Sequence, residues 1–346
     1  MQRSTQKHLV VSASLVTFTL SAFPAAAQEI EEIVVTARQR EEALSDVPAS
    51  IAVFTEGVIE RANIERAEDF IYMTPGVSLV DSAEVGDTQV SIRGINGSRD
   101  AEANFAFIVD GILYTNPSAF NREFADLKQI EVLKGPQGAI YGRSASAGAI
   151  IVTTQEPTAE PEARIKASAG NNNSWYTSAF VSGGLTETLS GRLHVDYRTT
   201  DGFYENSFYT DFLGKDGDIV DDFENYNING RLVWKPTEDL TVDFRAHYGE
   251  VDAAAISFNS VFALPVFGFI PKGAPLYEDV NEHDFVFQAN VDPSNDQESK
   301  DFSIKIDYEM DWGSVTAWML YSDIDQNFLA DGTSGAFQFF NNEAGC

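Results

Sequence analysis

Hydropathy changes its period near Pro157. Beyond that point apolar and polar residues alternate one for one. Leu193, Val195 and Tyr197 interleave with Arg192, His194, Asp196 and Arg198; Leu240, Val242, Phe244, Ala246 and Tyr248 interleave with Thr241, Asp243, Arg245 and His247. Phe302, Ile304, Ile306 and Tyr308 do the same with Ser303, Lys305, Asp307 and Glu309. A period of two puts one set on each face of a β-strand. Seven such segments are predicted, at roughly 163–170, 174–185, 189–201, 225–236, 239–250, 299–311 and 313–325, the first, second and last alternating less cleanly. Their connections alternate as well. Thr186–Thr188, Pro236–Glu238 and Asp311–Gly313 are tight, whereas 202–224 and 251–298 are long and Asn171–Asn173 is the one short link on that side. Tight turns at one rim and long loops at the other predict a membrane barrel wall. A soluble β-sandwich also alternates, but loops of that length are unusual in one.

The stretch from Ile33 to Pro157 is mixed. Ser50–Phe54 reads as a strand, Thr55 as the cap of a helix reaching Ala62, and Arg66–Tyr72 as a second helix ending before the Pro75-Gly76 turn. Four apolar runs bounded by Gly, Pro or Asn predict further strands at Gln89–Ile92, Phe105–Val109, Gln129–Leu133 and Ala149–Thr153. Together they predict a small α+β globule. At the N-terminus, Arg3 and Lys7 precede the apolar run Leu9–Phe23 and Ala25-Ala26-Ala27, the layout of a secretory signal peptide over residues 1–27. No other stretch approaches the ~18 apolar residues of a membrane helix, so a membrane-resident mature chain must cross as strands.

Charge narrows the function. The 346 residues carry 23 Lys and Arg against 53 Asp and Glu, a formal charge of −30, which argues against nucleic-acid binding. The single cysteine, Cys346, excludes an intrachain disulfide or a thiolate zinc site, and His8, His194, His247 and His283 are far apart. Asp216, Asp218, Asp221 and Asp222 lack the spacing of a calcium loop and read as a solvated acidic loop. No P-loop, HExxH or GxSxG motif occurs, so neither an enzyme nor a cofactor or metal site is expected.

Glu32, Ile33, Val34, Val35, Thr36 and Ala37 contain four consecutive β-branched residues, a peptide suited to adding as a strand to a partner's sheet edge. This segment resembles a TonB box. Val47–Ile51, Pro75-Gly76-Val77, Ser91–Ile95, Val109-Asp110-Gly111, Ile130–Arg143 and Gly148-Ala149-Ile150 resemble, in order and spacing, the plug signatures of TonB-dependent outer-membrane receptors. Lys134 stands where arginine is usual, and Ser144–Ala147 replaces a common Asn-Ala-Thr-Gly.

The resemblance implies a mainly β protein. A TonB box and linker (28–45) would lead to a small α+β plug domain (46–157), followed by an incomplete antiparallel transmembrane β-barrel (158–346) with about seven of ~22 strands. It implies that Arg93, Lys134 and Glu131 anchor the plug, with the two cations pairing to wall carboxylates, and that Gly94, Gly135, Pro136, Gly138 and Gly142 shape plug turns. Asn96, Arg99, Tyr114, Asn116 and Arg122 fall in the loops it places at the solute side. The expected partners are a TonB-type inner-membrane energy-coupling protein, outer-membrane lipid and a small chelated solute, with the protein a monomer in the outer membrane. The expected solute is a ferric siderophore, with cobalamin, haem or a saccharide as alternatives. Seven strands cannot close around a globule with a radius of gyration near ~13 Å. An N-terminal fragment is therefore expected, and a truncated, non-transporting product is the competing reading. Signal transduction is disfavoured because little chain separates the cleavage site from the box.

Overall fold

The computed structural model describes residues 33–37, 42–80, 89–97, 102–120, 124, 126–142, 144–206, 219–254 and 293–329. The expected signal peptide, Glu32, Arg99, Arg122, Arg143, Asp216 and Asp218 lie outside them.

The first body is built around five strands: β3 (Ser50–Thr55), β6 (Phe105–Val109), β7 (Ile112–Tyr114), β8 (Leu127–Lys134) and β9 (Gly148–Thr154). Their order is β3-β8-β9-β6-β7, with β6 and β9 parallel and every other pair antiparallel. The central strands β6 and β9 are buried on both faces along most of their length, which is why they read as unbroken apolar runs. Helix α1 (Glu56–Ala62) ends where Asn63 turns left-handed, at φ 52°, and its N–H returns to Glu60 and Ile59. In the first turn of helix α2 (Ala67–Tyr72), Asp69 reaches back, and its carboxylate accepts from the Glu65 and Arg66 N–H groups at 2.9 and 2.8 Å. A ribbon of β4 (Val77–Val80) and β5 (Gln89–Ile92) follows. Phe120 centres an aromatic cluster with Phe105, Phe107, Phe70 and Phe124, at ring separations of 4.9 to 6.4 Å.

Seven antiparallel strands in sequence order form the second body: β10 (Glu162–Ala169), β11 (Trp175–Gly184), β12 (Leu189–Thr200), β13 (Phe223–Thr237), β14 (Leu240–Ala253), β15 (Ser294–Met310) and β16 (Gly313–Leu329). Each contains or closely tracks a predicted segment. The sheet wraps one side of the first body with its polar face inward. On β12, Arg192, His194 and Asp196 are 8%, 6% and 7% exposed, while Leu193, Val195 and Tyr197 are 46%, 38% and 39% exposed. A water-soluble protein does the reverse. The register carries the apolar face across the sheet: Gly191, Leu232, Phe244, Ile304 and Met319 form one outward row, and Leu193, Gly230, Ala246, Phe302 and Tyr321 the next. Towards the long-loop rim charge returns first at Lys300 and Asp323, in the row of Val195, Ile228 and Tyr248, and then in the row where Tyr226, Glu250, Glu298 and Asp325 align. An outward apolar band bordered by aromatic and then charged residues is the surface expected of a lipid-facing wall.

The structure adds short elements that the sequence reading lacks, among them two strands and a one-turn helix. Val77–Val80 and Ile112–Tyr114 are strands that the apolar-run criterion missed, being only four and three residues long. Gly138, expected in a turn, instead opens the one-turn helix α3 (Gly138–Tyr141). Gly94, Gly135 and Gly142 do take positive φ, at 80°, 114° and 85°.

Candidate functional site

Two places combine specific side-chain chemistry with burial. The first is the N-terminal segment. Val34–Val35 (β1) pairs antiparallel with Glu42–Ala43 (β2), so the extended peptide predicted from its β-branched residues is already part of a small ribbon. Val35 and Ala37 are buried against Val47, Ile108, Leu133 and Tyr141, while Val34 faces out. Gln129 Nε2 donates to the Val34 carbonyl at 3.0 Å, and the Tyr141 hydroxyl donates to the Ala37 carbonyl at 3.1 Å. Glu131 accepts from the Thr36 N–H at 2.8 Å and the Thr36 hydroxyl at 3.0 Å.

Glu131 was expected to help anchor the plug to the wall, and here the structure corrects the sequence reading. It is 0% exposed inside the first body, and its bonds run to Thr36 and Gln129. Burial drives its pKa up, and the hydrogen bonds from Thr36 and Gln129 only partly offset that cost. Tyr141 is pushed up to about 12, first by burial and then by the neighbouring Glu131 charge, so the phenol remains a neutral donor.

The second place is the contact between the two bodies. Arg192, Arg231 and Arg245 are directly paired neighbours across β12, β13 and β14, all pointing inward. Like charges opposite one another destabilise a sheet, and here carboxylates separate them. Asp126 of the first body receives Arg192 Nε and Nη2, both at 2.6 Å. Asp243, on the wall itself, receives Arg231 at 2.8 Å and Arg245 at 2.5 Å. Asp110 receives Arg245 Nη1 at 3.1 Å and the N–H and hydroxyl of Thr154 at 2.8 and 2.7 Å. Burial alone would raise the Asp110 pKa. Arg245, Arg231 and the Thr154 bonds outweigh it and hold the carboxyl below its usual range. Asp110 and Gly111 also form the β6–β7 hairpin turn, both with positive φ (52° and 83°), which explains why Asp-Gly occupies this corner.

Further along the wall, Arg164 meets Glu60 at 2.7 Å, Lys166 meets Asn63 at 3.1 Å, and Arg198 meets Glu65. Arg192 also lies over the Phe180 ring at 3.8 Å. A cavity of about 90 Å³ remains between the bodies, large enough for water, and Asn229 borders it with its buried Nδ2 lacking a partner among the described residues.

The charge arrangement is thus plug carboxylates against wall cations. Lys134 Nζ donates to the Pro75 carbonyl at 3.1 Å, and Arg93 lies beside Gly135, whose added Cβ would sit 3.2 Å from Nη1. Neither makes an ion pair with a carboxylate of these seven strands among the described residues. The loop residues are spread out. Asn96 accepts from Ser91 at 2.7 Å, Asn116 accepts from the Ser118 N–H at 3.0 Å, and the Tyr114 hydroxyl donates to Asp301 of β15 at 3.2 Å. Sequence reasoning missed Asp110, Asp126 and the three-arginine row. The available signal was three arginines at inward-phase positions of adjacent strands in a strongly acidic chain.

The family model "TonB-dependent Receptor Plug Domain" matches residues 43–149. Among curated proteins, the vitamin B12 transporter of Vibrio vulnificus (strain CMCP6) is 29% identical over 204 residues, 56% of this chain and 32% of that protein. The ferrioxamine receptor of Yersinia enterocolitica is 26% identical over 202 residues, 57% of this chain and 26% of that protein. The chain therefore spans about a third or less of these relatives' length. Among solved structures, the ferric yersiniabactin uptake receptor of Yersinia pestis superposes with a TM-score of 0.66 at 18% identity, covering 82% of this chain and 42% of that one. The ferripyoverdine receptor of Pseudomonas aeruginosa gives 0.65 at 18% identity, covering 84% and 36%. These two likenesses concern the fold alone. The residues, the sheet with its polar face turned inward and the matched family model agree: residues 43–149 match the plug domain of TonB-dependent receptors, and the chain resembles such a plug seated against a section of barrel wall.

Proposed function

We propose that the chain supplies the coupling segment, the plug and part of the wall of an outer-membrane importer, and that the imported solute is a ferric siderophore. The supporting observation is the reversed wall: side chains that should face water face the plug, and side chains that should be buried face outward. Such a sheet is stable only with lipid outside and a polar filling inside. The plug supplies that filling through Asp110, Asp126, Glu60 and Glu65. In this reading the Ile33–Ala37 segment pairs with a TonB-type protein, pulling on it displaces the plug, and the solute passes. Asn96 and Asn116, both exposed, are proposed solute contacts, together with Arg99, Tyr114 and Arg122. Arg93 and Lys134 are proposed to meet carboxylates of other wall strands. Iron delivered already chelated asks for no His or Cys cluster from the protein.

Cobalamin is the second reading, favoured by the similarity to the Vibrio vulnificus vitamin B12 transporter. Uptake of labelled ferric hydroxamate, ferric catecholate and cobalamin by cells producing the receptor that contains this chain separates the two. Energy-dependent accumulation of an iron chelate that disappears in Val34→Pro supports the proposal. Accumulation of cobalamin alone overturns the siderophore assignment.

A further inference from the structure

We infer that Glu131 is the positioning residue of the N-terminal segment, and that it holds this segment in a docked state made deliberately easy to leave. The inference rests on the coupling role proposed above for residues 33–37.

Docking covers Glu131 completely. Its Oε1 takes the Thr36 N–H, the Thr36 hydroxyl and Gln129 Nε2 at 2.8, 3.0 and 3.0 Å, while its Oε2 is buried with no partner among the described residues. Those bonds fix Thr36 in register and, through Gln129, the Val34 carbonyl, while Tyr141 independently holds the Ala37 carbonyl. An ionised carboxylate with one oxygen left dry is expensive. Lifting residues 33–37 away returns water to Oε2 and recovers that cost. The same side chain therefore supplies the specific hold and the driving force for release. A neutral amide of the same shape would keep an acceptor for Thr36 without the charge.

Opposite effects of two substitutions follow. In a Cys346→Ser background, Val35→Cys places a thiol at a position that is 0% exposed when docked. Its reaction with a charged maleimide in the full chain, folded in detergent micelles, reports undocking. Glu131→Gln is expected to slow labelling several-fold, and Glu131→Ala to accelerate it at least ~10-fold, the equivalent of about 1.4 kcal/mol of lost docking. A second thiol at Ile150, in the plug core, should stay protected in every variant. If Glu131→Ala loosens the plug itself and exposes position 150, the comparison of Glu131→Gln with the parent still decides. Labelling of Glu131→Gln that matches or exceeds the parent overturns the inference, as does an alanine variant that labels no faster than the parent. Failure of an Ile33–Ala37 peptide to bind a TonB-type protein would sink the coupling role while leaving these labelling rates as they are.

Discussion

Arg192 grips Asp126 through both carboxylate oxygens, each at 2.6 Å, with both side chains almost fully buried. One residue belongs to the wall and the other to the plug, and Arg192 begins the row of three cross-strand arginines. Removing the plug would leave that row with Asp243 as its remaining wall carboxylate partner. The plug is therefore part of what makes this wall electrostatically stable, in addition to filling it.

Asp126→Ala leaves a buried guanidinium without its partner and should cost about 3–5 kcal/mol of plug–wall stability. Replacing both residues, as Asp126→Leu with Arg192→Met, should cost much less than the sum of the single changes. Denaturant unfolding followed by Trp fluorescence gives the four values of the cycle; additivity would show that the pair is not coupled.

Acid should unseat the plug through Asp110. Its folded pKa lies below the ordinary 3.8, so the ionised form stabilises the folded state. That contribution is complete above the ordinary value and is lost as pH falls through the depressed folded value. Stability should be insensitive to this group from neutrality down to about pH 5, then decline below about pH 4. Asp110→Asn should flatten the acid limb of a stability–pH profile while lowering stability at neutral pH.

Gly148 sits where no side chain fits. An added Cβ would lie 2.2 Å from the Leu133 carbonyl oxygen and 3.1 Å from Ile92 Cδ1. Gly148→Ala must push β9 from β8 and is expected to destabilise the plug by about 1–3 kcal/mol, read as a shift in the denaturant midpoint.

Val34 is the exposed member of the docked β1 strand, 45% exposed. Adding this segment to a partner's sheet edge uses main-chain bonds, so Val34→Pro should abolish association with a TonB-type protein while Val34→Ala weakens it modestly. Calorimetry on the two peptides checks this; equal losses would point to side-chain recognition instead.

The wall was legible because period-two alternation survives whichever face meets water. The sequence reading predicted strand positions within a few residues, and the tight turns and long loops supplied a rim assignment. Alternation alone leaves open which set faces inward; burial of His194 and exposure of Val195 answer that. Short strands escaped because Ile112–Tyr114 is too brief to show a pattern. The plug–wall ion pairs escaped for a different reason. Asp110 and Arg245 lie far apart in sequence, and nothing local marks either as the other's partner. Glu131 was misread because the family resemblance grouped it with Arg93 and Lys134, whereas alternation along β8 sends Glu131 and Lys134 to opposite faces and buries Glu131 inside the first body.

The central claim is that the apolar face of the seven-strand sheet lies in lipid and its polar face on the plug. Nitroxide labels placed one at a time at positions 192 to 197 of β12, in the receptor that contains this chain reconstituted into bilayers, test it through collision with oxygen and with a water-soluble nickel chelate. The account predicts alternation, with labels replacing Leu193 and Val195 relaxed by oxygen, those replacing Arg192, His194 and Asp196 protected from it, and the label replacing Tyr197 at the edge of the band. Alternation in the opposite phase, or nickel access at positions 193 and 195, would contradict it.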